Sequence, residues 1–216
     1  MSGFFLVLEG PEGAGKTTLA GALADRMRRQ GLDPVTVREP GGTPAAEHAR
    51  QALLDPDARL DPHVELLFVA AARAHLVQSI IRPALDAGRI VVSDRYDLST
   101  EAYQGAGRGI PAETVAAVNQ VATGGLRPDL TLVLDVSPDI GGVRQRDAGK
   151  SRDRFEREDR DFHERVYRAY RAATGPGIRH IDGTASAAVV FEAAWAALAE
   201  AGPETFGARP DYISRI

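Results

Sequence analysis

The chain has 216 residues, of which 44% are hydrophobic and 26% charged, with a formal net charge of −4; that is enough for one domain with a substantial core, and the charge argues against nucleic acid as its main partner. With no cysteine, it has no disulfide frame, thiolate zinc site or thiol nucleophile. No apolar run approaches the length of a membrane span and the N-terminus goes straight into a strand, so no membrane is expected and the cytoplasm is the expected compartment.

The first strand is predicted at Phe4–Leu8, a short apolar run that suits a buried parallel strand. It feeds G-P-E-G-A-G-K-T-T, in which Gly10, Gly15, Lys16 and Thr17 complete the phosphate-binding pattern. Gly10, Gly13 and Gly15 let the backbone bring its N–H groups to phosphate oxygens, and a helix over 19–30 adds its positive N-terminal end. Lys16 can reach the β- and γ-phosphates, and the Thr17 hydroxyl can ligate Mg²⁺. Lys16 is one of two lysines, against 24 arginines.

A second strand at Pro34–Val37 ends in Arg38-Glu39-Pro40-Gly41-Gly42-Thr43. Ligands gather at the carboxyl ends of parallel strands, which places Arg38 to meet an anion, although spacing alone is equally consistent with an ordinary turn and an exposed arginine. The turn also predicts a cis Glu39–Pro40 bond. Helices are expected at 45–54 and 62–87, the second with Pro83 in its last turns and Gly88 as its stop. The third strand, Ile90–Val92, runs into Ser93-Asp94-Arg95-Tyr96. An aspartate closing an apolar strand is a Walker-B pattern for Mg²⁺, and Arg95 beside it can bind phosphate bidentately; a surface Asp–Arg pair is the plainer alternative. If Asp97–Gln104 is helical, Thr100, Tyr103 and Gln104 share a face that offers a ring, a hydroxyl and an amide to a nucleoside.

A helix at 111–122 and a strand at Leu130–Val136 follow. From Arg144 to Arg160 there are seven basic and five acidic residues. They read either as solvated charged helices or as a lid whose Arg144, Arg146, Arg152 and Arg154 reach a transferring phosphoryl group. Helices at 157–174 and 186–201 flank a last strand at Ile178–Ile181. The tail beyond Pro203 is either a loose appendage or packs through Phe206 and Tyr212. Strands alternating with helices give an α/β fold with a parallel sheet.

Taken together, F-F-L-V-L-E-G-P-E-G-A-G-K-T-T, R-E-P-G-G-T-P, L-L-F-V-A-A-A-R-A-H, S-D-R-Y-D-L-S-T-E-A-Y-Q-G and S-R-D-R-F-E resemble thymidylate kinase, in family order over about residues 3–200. The phosphate loop alone is generic, whereas R-E-P-G-G-T with D-R-Y-x-x-S-x-x-A-Y-Q-G is specific. The resemblance implies a P-loop NTPase fold with a five-stranded parallel sheet flanked by helices, a domain over 1–202 with a lid at about 142–158, and a tail over 203–216. It implies transfer of the ATP γ-phosphoryl group to dTMP with Mg²⁺, in a homodimer. By position, ATP would meet Gly10, Pro11, Glu12, Gly13, Ala14, Gly15, Lys16, Thr17 and Thr18, with Asp182 and Thr184 in a late loop at adenine. The resemblance sets Glu9, Arg38, Arg73, Arg95, Ser99, Thr100, Tyr103 and Gln104 around dTMP, with Glu9, Thr17 and Asp94 about the metal. Lys16, Asp94, Arg95 and the lid arginines would carry the chemistry. An aromatic often stands four residues before the base-reading arginine; here that position is Val69, with Phe68 one step off, and either could face thymine. The nearest rivals are another nucleoside-monophosphate kinase and a non-catalytic nucleotide-binding module. A GTP-binding switch needs N-K-x-D, which is ruled out because Asn119 is the only asparagine and no lysine follows it.

Overall fold

The computed structural model describes residues 3–147 and 153–207. Five strands, β1 (Phe4–Glu9), β2 (Val35–Arg38), β3 (Ile90–Asp94), β4 (Leu130–Asp135) and β5 (Ile178–Asp182), form one parallel sheet in the order β2-β3-β1-β4-β5. The helices are α1 (Lys16–Arg29), α2 (Pro44–Leu54), α3 (Pro62–Leu76), α4 (Arg82–Asp86), α5 (Asp97–Thr100), α6 (Ala112–Thr123), α7 (Pro138–Asp147), α8 (Arg160–Ala172), α9 (Ala187–Ala201) and α10 (Pro203–Phe206).

The sequence pattern of each strand follows from its place in the sheet. β1, β3 and β4 lie inside with both faces covered, and their apolar runs are almost wholly buried. The edge strands β2 and β5 keep polar residues at exposed positions. On one face Leu6, Leu8, Val92, Leu132 and Leu134 pack against Leu19, Leu23 and Met27 of α1 and Trp195 and Leu198 of α9. On the other, Phe5, Val7 and Val91 meet Leu76, Ile81 and Ala84, while Val133 meets Phe162, Val166 and Tyr170 of α8. Phe206 is also buried, edge-on to Phe4 and Trp195, so the start of the tail packs on the body; Tyr212 lies outside the described residues.

Two π-helical turns modify the predicted helices. Between α3 and α4 the chain passes through Val77–Ile81 as a π turn. Pro83 cannot donate to the carbonyl four residues back and its ring crowds that carbonyl, so a wider turn just before it relieves both. Gly88 ends the helix with φ 74°. The continuous Pro62–Asp86 helix is long and apolar enough to cross a membrane by length and composition; a search for unbroken apolar runs overlooks it because Glu65 and Arg73 interrupt the sequence. Here both charged residues are buried and paired. The second π turn, Glu101–Gly107, continues α5.

Register places the site. Leu8 pairs with Asp94 and Arg38 with Asp94, so the chain leaving β1, β2 and β3 exits at one edge of the sheet. The strand order reverses at β1, where open parallel sheets form a crevice.

Candidate active site

A cavity of about 900 Å³ opens over these carboxyl ends. Its floor is the loop after β1. Gly10 (φ 136°) and Gly13 (φ 70°) have backbone that side chains rarely adopt. A Cβ on Gly10 would lie 2.6 Å from the Leu134 carbonyl oxygen, and one on Gly13 would lie 2.3 Å from that of Gly141 in α7. Glu12 through Thr18 line the cavity, whereas Gly10 and Pro11 turn their carbonyls to Lys16 Nζ at 3.0 and 2.8 Å. Burial, with the neighbouring Arg95 charge, lowers the Lys16 ammonium to about 8. Thr17 Oγ1 donates to Asp94 Oδ2 at 2.5 Å, bringing two of the three expected Mg²⁺ ligands together. Two hard oxygen donors suit Mg²⁺, which keeps waters and takes phosphate oxygens for its remaining ligands. Among the described residues no group of three or more His, Cys, Asp and Glu is arranged to hold a metal by itself.

Arg95 is the hub of the centre. Its φ of 78° is in the left-handed region and it is the one non-glycine among the described residues with a positive φ. Its amide donates to Leu8 O at 2.9 Å, which tethers the turn to β1. The guanidinium reaches Glu12 Oε1 at 2.6 Å, the hydroxyls of Tyr103, Tyr170 and Ser99, and Gly10 O. Burial would lower its pKa, but Glu12 and the two tyrosines around it raise it well above the usual range. Burial likewise pushes the Glu12 carboxyl up, yet Arg95 and Lys16 outweigh it and bring it to about 2. Arg38 and Arg50 line the cavity wall beyond; Arg38 pairs with Glu47 at 2.9 Å, and Arg50 donates to Pro40 O at 2.8 Å. Burial, together with Arg38, lowers Arg50. The Glu39–Pro40 bond between these groups is cis.

Ser99, Thr100, Tyr103 and Gln104 all line the cavity, although the segment is α5 plus a π turn and not one regular helix. At the opposite end Leu19, Ala22, Gly183, Ala185 and Phe191 form an apolar slot, and Arg144 reaches into it with a 2.9 Å bond to Gly183 O.

Several expected residues face elsewhere. Glu9 does not line the cavity; it is wholly buried and accepts from Tyr96 N, Ser99 N, Ser99 Oγ and Tyr170 OH, which fixes the turn after β3. Burial raises its pKa. Arg73 touches the cavity wall, but its N–H groups bond Glu39 Oε2, Thr100 Oγ1, Asn119 Oδ1 and Tyr96 O. Val69 lines the cavity and Phe68 packs into the core beside it. Asp182 and Thr184 bond each other and face a smaller cleft beyond β5; only Gly183 and Ala185 of that loop line the main cavity. Of the lid arginines, Arg146 is exposed, Arg154 is buried against Glu65, and Arg152 lies outside the described residues.

Arg50, Glu65, Asn119 and Tyr170 were not found from sequence. For Glu65 a signal was present, since Glu65, Val69 and Arg73 recur every four residues along a mainly apolar helix. Arg50 sits on an ordinary amphipathic helix and shows nothing until α2 packs.

Comparison with known proteins gives concordant results. A model of the family described as thymidylate kinase matches residues 8–193. Thymidylate kinase of Ectopseudomonas mendocina (strain ymp) is 51% identical over 179 residues, covering 82% of this chain and 85% of that protein. Its counterpart in Pseudomonas putida (strain GB-1) is 52% identical over 171 residues, 79% of this chain and 81% of that one. A crystal structure of thymidylate kinase from Ehrlichia chaffeensis superposes with a TM-score of 0.73 at 30% identity, over 92% of this chain and 99% of that chain.

Proposed function

The chain belongs to the thymidylate kinase family, which turns dTMP into dTDP, and we propose that it does so by direct transfer of the ATP γ-phosphoryl group, with Mg²⁺, inside the cavity over the strand ends. The observation that carries this reading is the gathering of Lys16, Arg38, Arg50 and Arg95 on the wall of one cavity of about 900 Å³ that the 12–18 loop, Val69, Tyr103, Gln104 and Phe191 also line. ATP lies on the 10–18 loop with adenine in the slot of Leu19, Ala185 and Phe191. The dTMP base lies against Val69, Tyr103 and Gln104, with its phosphate toward Arg38, Arg50 and Arg95.

Phosphoryl transfer needs positioning and charge more than covalent chemistry. A phosphate oxygen of dTMP attacks the γ-phosphorus and the bond to the β-phosphate oxygen breaks, leaving ADP and dTDP, so no protein nucleophile is used. Lys16 gives up the Gly10 and Pro11 carbonyls for the β- and γ-phosphates. Thr17 and Asp94 would hold Mg²⁺, which when bound would supply charge neutralisation on the phosphates. Arg95, prepaid in its strained geometry, is oriented without reorganisation during the reaction. Arg144 is the arginine of α7 best placed to swing from Gly183 O to the phosphates, as part of a lid over 142–158. The Arg73 network and Glu9 support the acceptor wall, and the protein acts as a cytoplasmic homodimer.

ADP release from ATP and Mg²⁺ should be measured with dTMP, dUMP, UMP, CMP, AMP and GMP in parallel. The expected result is a strong preference for dTMP. Preference for UMP would overturn the choice of acceptor, and the absence of acceptor-dependent release would overturn the kinase reading.

A further inference from the structure

Glu65 is wholly buried on α3, outside the cavity, and several donors converge on it. Gln104 Nε2 donates to Oε1 at 2.7 Å. Arg108 Nε lies 3.2 and 3.1 Å from the two carboxylate oxygens, and Arg108 Nη2 and Arg154 Nη2 lie 3.0 and 2.7 Å from Oε2. Neither arginine lines the cavity, but Gln104 does. A carboxylate flanked by two guanidiniums only accepts hydrogen bonds. An amide beside it must therefore turn its nitrogen inward, because turning its oxygen inward would set two acceptors against each other. The Gln104 amide has one orientation, and its carbonyl oxygen is the end left to the cavity.

We propose that Glu65 is a specificity-determining positioning residue: by holding the Gln104 carbonyl toward the acceptor base, it selects a pyrimidine that carries a hydrogen on N3 and rejects one whose N3 is a bare lone pair. Thymine and uracil are of the first kind and cytosine of the second. A site built around one hydrogen bond rejects the ligand that cannot make it far more strongly than an apolar pocket rejects a missing methyl group. The two arginines offset the cost of burying the carboxylate that sets this orientation. The inference rests on the placement of the base against Gln104 proposed above.

The test is kcat/KM for dTMP and for dCMP in the wild type, Gln104→Ala and Glu65→Gln, each checked for a cooperative melting transition. Glutamine at position 65 can donate as well as accept, so it releases the Gln104 amide with almost no change in volume. Glu65→Gln is expected to lower the dTMP-over-dCMP ratio by at least about tenfold, through opposite changes in the two acceptor KM values and with KM for ATP unchanged. If Gln104→Ala collapses the ratio while Glu65→Gln keeps it, the role of Glu65 is wrong. If Gln104→Ala itself leaves the ratio intact, the base placement is wrong and the inference falls with it. Should Glu65→Gln not melt cooperatively, Glu65→Asp replaces it: a shorter carboxylate also frees the amide, and a ratio equal to the wild type's overturns the proposal.

Discussion

Lys16 holds a charge in a place that does not favour one. It is buried, Arg95 is near, and its ammonium donates to the carbonyls of Gly10 and Pro11. These carbonyls are weak partners compared with phosphate, so the interaction is kept for the nucleotide and strengthens as charge develops. Lys16→Ala should lower kcat by at least about a hundredfold, the scale of losing one preorganised donor; near-normal turnover in that variant would sink the mechanism. The same burial gives a pH signature. With its pKa lowered to about 8, the ammonium is lost as pH rises through that value. In the free enzyme kcat/KM for ATP should then fall by about tenfold per pH unit on the alkaline side. Bound phosphates favour the charged form, so kcat should fall only at higher pH. A profile of kcat/KM for ATP that stays flat well past pH 8 would contradict the lowered value.

At the scale of elements, the phosphate loop and α7 touch through bare backbone. A Cβ on Gly13 would sit 2.3 Å from Gly141 O and 2.7 Å from Gly141 Cα. The helix that carries Arg144 is therefore seated on the loop that carries Lys16, and a shift in one is transmitted to the other. Gly13→Ala should destabilise the fold by roughly 1–3 kcal/mol through strain and overpacking, and should raise KM for ATP more than KM for dTMP. Urea unfolding and the two KM values check this, and unchanged values for both would refute the coupling. These contacts also mark where sequence reading stops. The strands were legible because three of the five are buried on both faces and therefore read as continuous apolar runs. The phosphate loop was legible because its glycines and Lys16 serve a local backbone shape. Arg154 was not, because a lid arginine and an arginine that pairs with a buried Glu65 have the same local sequence; only the packing of α3 separates them. The π turn at Glu101–Gly107 was hidden for a similar reason, since Gly107 is needed against the Phe162 ring of α8, far along the chain. Val69 and Phe68 differ by one helical step, which the register of α3 decides and composition does not.

At the scale of the whole molecule, the wall of the acceptor site is also a surface. The face of α3 that carries Glu65, Val69 and Arg73 is turned inward, and its other face leaves Leu67 60% exposed and Val64 41% exposed. The neighbouring α6 adds Val121, 83% exposed, with Ala116 and Ala117 also exposed. Apolar residues grouped on two packed helices form a patch of the kind that soluble proteins cover. A two-fold axis over it would place the same patch of a second copy against the first, so any one substitution would occur twice in the contact. In a dimer built that way Leu67→Glu would set two carboxylates into an apolar centre and turn the dimer into a monomer by sedimentation or light scattering, without touching a cavity residue. Because the inner face of α3 holds Val69 in the cavity wall and Glu65 behind Gln104, loss of the second copy should also loosen the base site. KM for dTMP should rise in Leu67→Glu while KM for ATP, whose proposed site lies across the sheet at α1 and α9, changes little. A wild-type chain that sediments as a monomer at micromolar concentration would remove the premise. A Leu67→Glu chain that stays dimeric would move the interface away from α3, and with it the argument that assembly stiffens the acceptor site.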